Sequence, residues 1–384
     1  MSAAQWRKAM NTGVAAQASP RRRVPAAAAP TTEDDEYADS NAPAWLKWLW
    51  RHVAARHVIV LAIVLVFPFV ATPFFTFQIG AQSLALGLVA LSLMFLGGYG
   101  GMISLAQMTV AGIAGYMVAI LGASGTAEIS LGWPWWVVVP LAIAIATVCG
   151  TLIGWLSVRT EGIYTIMITL AIGVAFHYFA LQNYSVFNGF QGLQKVYPPL
   201  VFGIDWRSPM PFYFLVLGCS LAGYFFVKYL ARTPFGIALQ GVRDNPRRMS
   251  ALGFNVTAHR VAAYAVAGLI AAVAGVLLVW YNGLITPGSI GTSWLINILV
   301  IAVLGGLRHP IGPFLGAIVF VLLQNFAIDL FDRERFNLVI GAMFLAIVLF
   351  SPDGLLGLWA RLRARFENAD TRARISTSRP ASRA

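Results

Sequence analysis

The sequence predicts an all-α integral membrane protein, and two observations carry that prediction. Of the 384 residues, 58% are hydrophobic and only 11% are charged, with a mean hydropathy of +0.72. Long apolar runs also recur along the chain, separated by short polar segments. One globular core cannot hold so much apolar sequence, whereas membrane helices can, since each needs roughly 20 mostly apolar residues. We therefore expect a polytopic membrane protein.

Uninterrupted apolar length predicts about ten transmembrane segments. The predicted spans are residues 57–76, 80–97, 103–122, 134–157, 162–182, 210–230, 259–282, 293–306, 310–328 and 336–351. The second and eighth of these are short and lie beside glycine-rich sequence, as is typical of helices interrupted near the membrane midplane. We expect some of the ten segments to be short or discontinuous.

Basic residues predict the orientation of these spans. With the N-terminus inside, the cytoplasmic segments hold 23 of the 27 Lys and Arg residues, and the external segments hold four, Lys195, Arg207, Arg333 and Arg335. Cytoplasmic loops of membrane proteins carry such an excess of positive charge. Both termini are therefore expected in the cytoplasm, and the net charge of +12 indicates contact with membrane lipid rather than with nucleic acid.

The two ends of the chain differ in composition from its middle. Residues 1–44 are rich in Ala, Pro and charge, which predicts a disordered cytoplasmic tail. Residues 45–56 begin with WLKWLWRH, an aromatic and basic run that favours an interfacial segment. The predicted permease domain then covers residues 57–355, and residues 356–384 form a basic cytoplasmic tail.

Several kinds of chemistry find no support in the sequence. The ten predicted spans contain no Asp or Glu, which weakens an ion-coupled carrier, and His177 is expected to have a structural, hydrogen-bonded role ahead of a transport role. No GxxxxGK[ST], HExxH or GxSxG motif occurs. Cys149 and Cys219 lie in apolar runs and indicate neither a disulfide nor a metal site. We expect no catalytic residue, no cofactor and no metal.

Residues 233–255, TPFGIALQGVRDNPRRMSALGFN, form a basic segment between two hydrophobic runs. Thr233-Pro234 and Asn245-Pro246 each read as an N-cap followed by proline at the first helical position, and Gly253 predicts a left-handed helix end. Two short helices follow from this punctuation. The segment fits either a docking surface, with Met249 and Leu252 as apolar anchors and a basic rim, or a loop that only fixes topology.

Polar and glycine residues within the spans are candidates for a solute path. Glycines permit close helix packing, or interrupted helices whose free backbone groups can meet a polar solute. Uncharged polar side chains at membrane depth need a partner or a water-filled cavity. The candidate path residues are Gly98, Gly101, Ser104, Gln107, Thr109, Asn297, Gly305 and Gly306.

Residues 233–255 resemble the coupling loop of ABC importer membrane subunits, and in detail that of the M-type permease of branched-chain amino-acid importers. The stretches Gly98–Tyr116 and Ile285–Ala317 resemble that family's two glycine-rich motifs, and Asn188–Leu193 its external loop. The resemblance covers about residues 57–355. It implies that the ATPase-coupling residues are Gly236, Arg243, Asn245, Pro246, Arg247, Arg248, Met249, Leu252 and Gly253.

The resemblance also implies partners and a location. A second homologous permease subunit, two cytoplasmic ABC ATPase subunits and an extracytoplasmic solute-binding protein would assemble with this chain in a bacterial cytoplasmic (inner) membrane. Met102, Ala106 and Asn297 depart from the Gln, Gly and Glu that are usual in the family, which leaves the cargo open. Branched-chain amino acids are expected first, then urea or amides, or other small carboxylates. The rival is a self-sufficient secondary transporter or channel.

Overall fold

The computed structural model describes residues 64–126, 129–200, 203, 205–330, 341–342, 345, 354–355 and 357. The chain divides into Met1–Leu65 and Val66–Ala384, and the architecture below is that of the second unit. The expected tail at 1–44 and the interfacial segment at 45–56 lie outside the described residues. So does the predicted tenth span at 336–351, apart from residues 341, 342 and 345, and the tail at 356–384, apart from residue 357.

The described part of the chain is almost entirely helical. Its helices are α1 (Phe75–Tyr99), α2 (Gln107–Leu121), α3 (Trp135–Ser157), α4 (Ile163–Gln182), α5 (Tyr184–Phe187), α6 (Pro209–Leu230), α7 (Pro234–Asp244), α8 (Pro246–Ala251), α9 (Val256–Asn282), α10 (Thr292–Gly305) and α11 (Gly312–Leu330). Two strands of two residues each, β1 (Leu193–Gln194) and β2 (Leu284–Ile285), pair antiparallel. Short 3₁₀ turns occur at Gly189–Gln191 and Pro287–Ile290, and residues 64–70 and 73–74 are helical as well.

Five of these helices, α1, α3, α4, α6 and α9, are long and apolar enough to cross a membrane. The predicted spans 134–157, 162–182 and 210–230 agree with α3, α4 and α6 to within one residue. The predicted span 293–306 is confirmed as a short helix, since α10 has 14 residues. These helices and the composition together identify a multi-pass membrane protein.

Two sequence predictions about the first spans are wrong. A break was expected at residues 77–79, yet α1 runs unbroken for 25 residues from Phe75, with π-helical first and last turns. The interruption lies instead at Ala71 and Thr72, between the helical residues 64–70 and Pro73, because a residue before proline is disfavoured in the helical conformation. The span expected at 103–122 begins at Gln107, after the positive φ of Gly101 has ended the preceding helix.

Helices α1 and α9 form the centre of the bundle. In its most apolar 18-residue stretch, α1 is 83% buried and α9 is 67% buried, whereas the corresponding stretches of α3, α4 and α6 are 33%, 22% and 33% buried. The central position of α9 depends on small residues: a Cβ on Gly275 would overlap the carbonyl of Ala111 in α2, and the Cβ of an alanine at position 150 would lie 3.2 Å from the Cα of Gly268. Backbones at van der Waals distance are typical of helix association in lipid.

The outer helices expose large apolar side chains. Trp136 on α3, Tyr164 on α4 and Tyr229 on α6 are each more than 60% exposed in the isolated chain. Lipid or another membrane subunit can cover such side chains, and aromatic residues are favoured at the membrane surface. The exposed faces of α3, α4 and α6 are therefore the periphery of the membrane domain.

The loops that connect the helices lie at two ends of the bundle. At one end β1 pairs with β2, and the Gly125 amide donates to the Gln194 carbonyl at 2.7 Å. At the other end Arg260 forms a 3.1 Å ion pair with Glu161. Each end therefore joins only loops that the basic-residue pattern assigns to the same side of the membrane.

Candidate functional site

The segment 233–255 folds as the two short helices that its punctuation predicts. The Thr233 hydroxyl accepts from the Gly236 amide at 3.4 Å to cap α7, and Oδ1 of Asn245 accepts from the Arg248 amide at 3.0 Å to cap α8. Proline occupies the first position of each helix, where its missing N–H costs nothing. The N-cap predictions for Thr233 and Asn245 are confirmed.

The end of α8 is fixed just as closely. Gly253 has φ +89°, and the amides of Gly253 and Phe254 donate to the carbonyls of Ser250 and Met249 at 3.0 and 3.1 Å. This pair of bonds is a Schellman motif, which needs a left-handed residue after the helix. The predicted left-handed stop at Gly253 is confirmed, and a six-residue helix that would be unstable alone has a defined end.

The α7–α8 pair is held against the membrane helices. Gly236 packs on the last turn of α6, where any Cβ would overlap the Leu230 carbonyl. Nε2 of Gln240 donates to the Ala231 carbonyl at 3.0 Å. The His259 ring, on the first turn of α9, stacks on Phe235 with centroids 6.0 Å apart. A displacement of the pair would therefore act directly on α6 and α9.

An apolar and basic surface faces away from the bundle. Leu252 is 67% exposed and Ile237 62% exposed, and Phe254, Arg247 and Arg248 are also exposed. We name these five residues the docking surface. The sequence pointed to Leu252 and the arginines but missed Ile237 and Phe254, because an apolar residue in a short amphipathic helix does not reveal whether its face is covered.

Met249 has a different role from the one expected. It was predicted as an outward anchor, but its side chain is half-buried and packs against α7, where the Cβ of a residue replacing Gly241 would lie 2.8 Å from the Met249 sulfur. The missing side chain at Gly241 lets the two helices pack closely. Met249 therefore packs between α7 and α8.

Arg243 is exposed, as expected of a rim residue, but its guanidinium also reaches the membrane helices. Its Nη1 donates to the carbonyl of Gly98, in the last π-helical turn of α1, and its aliphatic stem packs on Gly101. Its Nε and Nη2 both lie 2.9 Å from Oδ1 of Asp244, which orients the guanidinium. Arg243 thus joins the helix pair to the first glycine-rich motif, 145 residues away in sequence.

The predicted path glycines lie at close backbone contacts. A Cβ on Gly98 would overlap the Leu307 carbonyl, and a Cβ on Gly305 would overlap the Gly312 carbonyl. Gly306 has φ +103°, which an L side chain rarely adopts. The two glycine-rich motifs therefore pack on each other between the end of α1 and the turn joining α10 to α11.

The predicted polar path residues are largely inside the subunit. Ser104, Gln107 and Thr109 are at most 2% exposed. Oε1 of Gln107 accepts from the Ser92 hydroxyl at 3.1 Å, whereas the Thr109 hydroxyl lacks a hydrogen-bond partner among the described residues. Asn297 on α10 is half-buried. Gln107 thus faces α1, and the Thr109 hydroxyl lies beside Gly173 of α4.

A further polar group lies at the opposite end of the bundle. The Tyr281 hydroxyl donates towards Oε1 of Gln78 at 3.0 Å and of Gln82 at 3.4 Å. Nearby on α4, Nδ1 of His177 lies 2.9 Å from the carbonyl of Pro287, which fits the structural, hydrogen-bonded role expected for it. This group could not be predicted from the sequence, because Tyr281 lies 203 positions from Gln78 and 199 from Gln82.

Nothing in the described residues favours a metal site, since no cluster of three or more His, Cys, Asp or Glu side chains occurs there. Within the same residues, ion pairs join Arg243 to Asp244 and Arg260 to Glu161, and both lie at the end that bears α7 and α8.

Comparison with known proteins identifies a matching family and several relatives. A family model described as "branched-chain amino acid transport system / permease component" matches residues 75–348. The high-affinity branched-chain amino acid transport system permease protein LivM of Salmonella typhimurium is 25% identical, over 71% of this chain and 67% of its own.

Two further relatives are also transport permeases, the first again of a high-affinity branched-chain amino acid transport system and the second for ribose import. The permease protein LivH of Escherichia coli is 25% identical over 70% of this chain and 90% of its own. The ribose import permease protein RbsC of Haemophilus influenzae is 23% identical over 65% and 78%. No solved structure matches the chain.

Proposed function

The chain belongs to the family of permease components of branched-chain amino acid transport systems, and we propose that it forms the membrane path for a branched-chain amino acid. It is a permease subunit of an ABC importer that works with another permease subunit. In the proposal a solute-binding protein delivers the cargo outside, and two ATPases drive transport from the cytoplasm. The chain itself supplies no catalytic group.

The α7–α8 pair is the observation that carries this proposal. Both helices are capped by side chains, the second ends in a Schellman motif, and the pair exposes apolar and basic side chains away from the bundle. A loop that only fixed topology would need neither the caps nor the inward contacts. The chain contains no P-loop, so a force that moves this surface comes from another protein.

The contacts of Arg243 suggest how such a force reaches the membrane interior. A push on the docking surface displaces α7, and Arg243 passes the displacement to the Gly98 carbonyl at the end of α1. Gly98 in turn packs on Leu307, beside the second glycine-rich motif. Because packed backbones have few intermediate positions, a small shift here favours a switch between two arrangements.

Arg243→Met tests this connection. The methionine keeps part of the apolar stem on Gly101 but removes the donor to Gly98, and we expect transport per ATP hydrolysed to fall about tenfold, the loss of one hydrogen bond to a charged group. ATPase binding should persist, because the docking surface is intact. Uptake and phosphate release measured together in proteoliposomes decide the matter, and an unchanged ratio would remove Arg243 from the coupling route.

Topology is the second testable part. We propose about ten spans with both termini in the cytoplasm, and Ser250 and Gln194 are exposed positions at opposite ends of the bundle. Ser250→Cys should react with a membrane-impermeant thiol reagent only after the membrane is opened, whereas Gln194→Cys should react in intact cells. Labelling of Ser250→Cys from outside would invert the orientation.

The identity of the transported solute is the most specific part of the proposal. The names of the LivM and LivH relatives support a branched-chain amino acid, while the ribose permease shows that related chains carry other solutes. Uptake of labelled L-leucine into proteoliposomes that hold the complete importer tests this choice. Competition by isoleucine and valine but not by urea supports it, and ATP-driven uptake of urea or an amide in place of leucine would overturn it.

The remaining proposals concern the chain outside the bundle. We propose a bacterial inner membrane as the location, which the bacterial relatives support. We also propose residues 1–44 as a disordered cytoplasmic tail, 45–56 as an interfacial segment and 356–384 as a basic tail, on composition alone. Protease digestion of inverted vesicles tests the two tails: both should be removed from the cytoplasmic face, and full protection would contradict the assignment.

A further inference from the structure

A cavity of ≈ 420 Å³ opens at the end of the bundle that carries β1 and β2. Aromatic side chains, among them Phe77, Phe212 and Trp280, form its apolar wall. Polar side chains of Gln78, Asn282 and Arg207 also line it. Its size and its mixture of apolar wall with a few convergent polar groups are typical of small-molecule sites.

Arg207 gives this cavity its charge. It is the one charged residue among the described residues that line the cavity, and its guanidinium lies 4.0 Å from the centre of the Tyr197 ring. Stacking on an aromatic face leaves the N–H edge of a guanidinium free to donate. The neighbouring Asp205 accepts from the backbone amide of Arg207, and the Arg207 side chain pairs with no carboxylate of the described residues.

The cavity adjoins a second, inner one of ≈ 180 Å³. Tyr281 and Asn282 line both, while Gln78 lines the outer cavity and Gln82 the inner one. The bonds from Tyr281 to the two glutamines therefore lie between the cavities. The inner cavity is bordered by apolar residues such as Leu86, Met108 and Trp294 and has no charged lining residue among those described.

We propose that the outer cavity is a reception site for a small solute that carries a carboxylate and an apolar tail. Arg207 would bind the carboxylate through two N–H groups, the geometry that makes arginine suited to this anion. The aromatic wall would cover the tail. The inference rests on the proposed importer function and adds to it a site within this subunit, ahead of the buried glycine motifs.

Cysteine protection tests the site in the assembled importer held in nanodiscs. Asn282→Cys places a reporter thiol in the cavity, and its reaction with a charged methanethiosulfonate is followed with and without solute. We expect L-leucine and isovalerate, each at about ten times its Kd, to slow the reaction roughly tenfold, because only the unoccupied fraction of the site reacts. Isopentylamine, which has the tail but no carboxylate, should not slow it. The importer without the added cysteine gives the background from Cys149 and Cys219.

Arg207→Gln supplies the matched comparison. It should weaken protection by isovalerate about tenfold, because one charged partner of the carboxylate is lost. Lys195→Gln removes one positive charge from the same end of the bundle but not from the cavity, and it should leave protection unchanged. Calorimetric titration of isovalerate into importers without the reporter cysteine gives a second readout with the same expectations.

The two proposals fail in different ways. Protection by isopentylamine equal to that by isovalerate, or isovalerate binding that survives Arg207→Gln unchanged, would overturn the site. So would the absence of protection by any carboxylate, whether or not L-leucine drives ATP hydrolysis. If isovalerate protects but L-leucine is not transported, the cargo assignment is wrong and the reception site stands.

Discussion

Gly275→Val is expected to destabilise the membrane domain by about 3 kcal/mol or more, because the new side chain would overlap backbone rather than a movable side chain. Any Cβ at this position meets the carbonyl, the carbonyl carbon and the Cα of Ala111. The two helices α9 and α2 must then separate, and α9 also packs on α1 and α3 at the centre of the bundle. The detergent-solubilised protein should lose its monodisperse peak at a temperature roughly 10 °C lower.

Gly218→Val is the matched control for that change. Gly218 lies in the membrane helix α6, and a Cβ there meets nothing within 4 Å. The same valine in the same kind of helix should therefore leave the temperature at which the monodisperse peak is lost almost unchanged. Equal loss at both positions would show that valine itself, rather than the crossing of α9 and α2, determines the effect.

Leu252→Asp should abolish solute-stimulated ATP hydrolysis and transport together. Leu252 is 67% exposed in this chain, so its replacement should leave the stability of the isolated subunit unchanged. In the proposed complex the same side chain fills an apolar groove of the ATPase, where an unpaired carboxylate would lose its solvation. Truncation of a central interface residue costs about 2 kcal/mol or more, so the association should weaken at least about 30-fold.

Leu200→Asp is the corresponding control on the other side. Leu200 is 75% exposed in the connection that follows β1, at the end of the bundle proposed to be external. The Leu200→Asp variant should co-purify with the ATPase as the unchanged chain does. A Leu252→Asp variant that binds the ATPase and transports normally would contradict the docking role of α7 and α8.

The starts and ends of α7 and α8 could be predicted from the sequence because their causes are local. Proline after Thr233 and Asn245 sets each helix start, and glycine at position 253 sets the end. These features depend on residues within one or two turns of each other. For the same reason the bounds of α3, α4 and α6 agree with the apolar runs.

Tertiary contacts account for what the sequence could not predict. Arg243 is exposed, as expected of a basic rim residue, but the sequence could not indicate its bond to the carbonyl of Gly98, 145 residues away. Met249 was expected to point outward, and only the absence of a side chain at Gly241 draws it inward. The unbroken α1 was missed at Gln78, whose partner, the Tyr281 hydroxyl, lies 203 positions away in the sequence.

Purification of this chain from its native membrane, followed by measurement of ATP hydrolysis with and without ligand-loaded solute-binding protein, tests the central claim most directly. An ABC importer permease should co-purify with a P-loop ATPase and a second permease, and L-leucine with the binding protein should stimulate hydrolysis several-fold. Leu252→Asp should remove both the ATPase and the stimulation. A chain that purifies alone and carries L-leucine across proteoliposomes without ATP would contradict the account and establish a self-sufficient carrier.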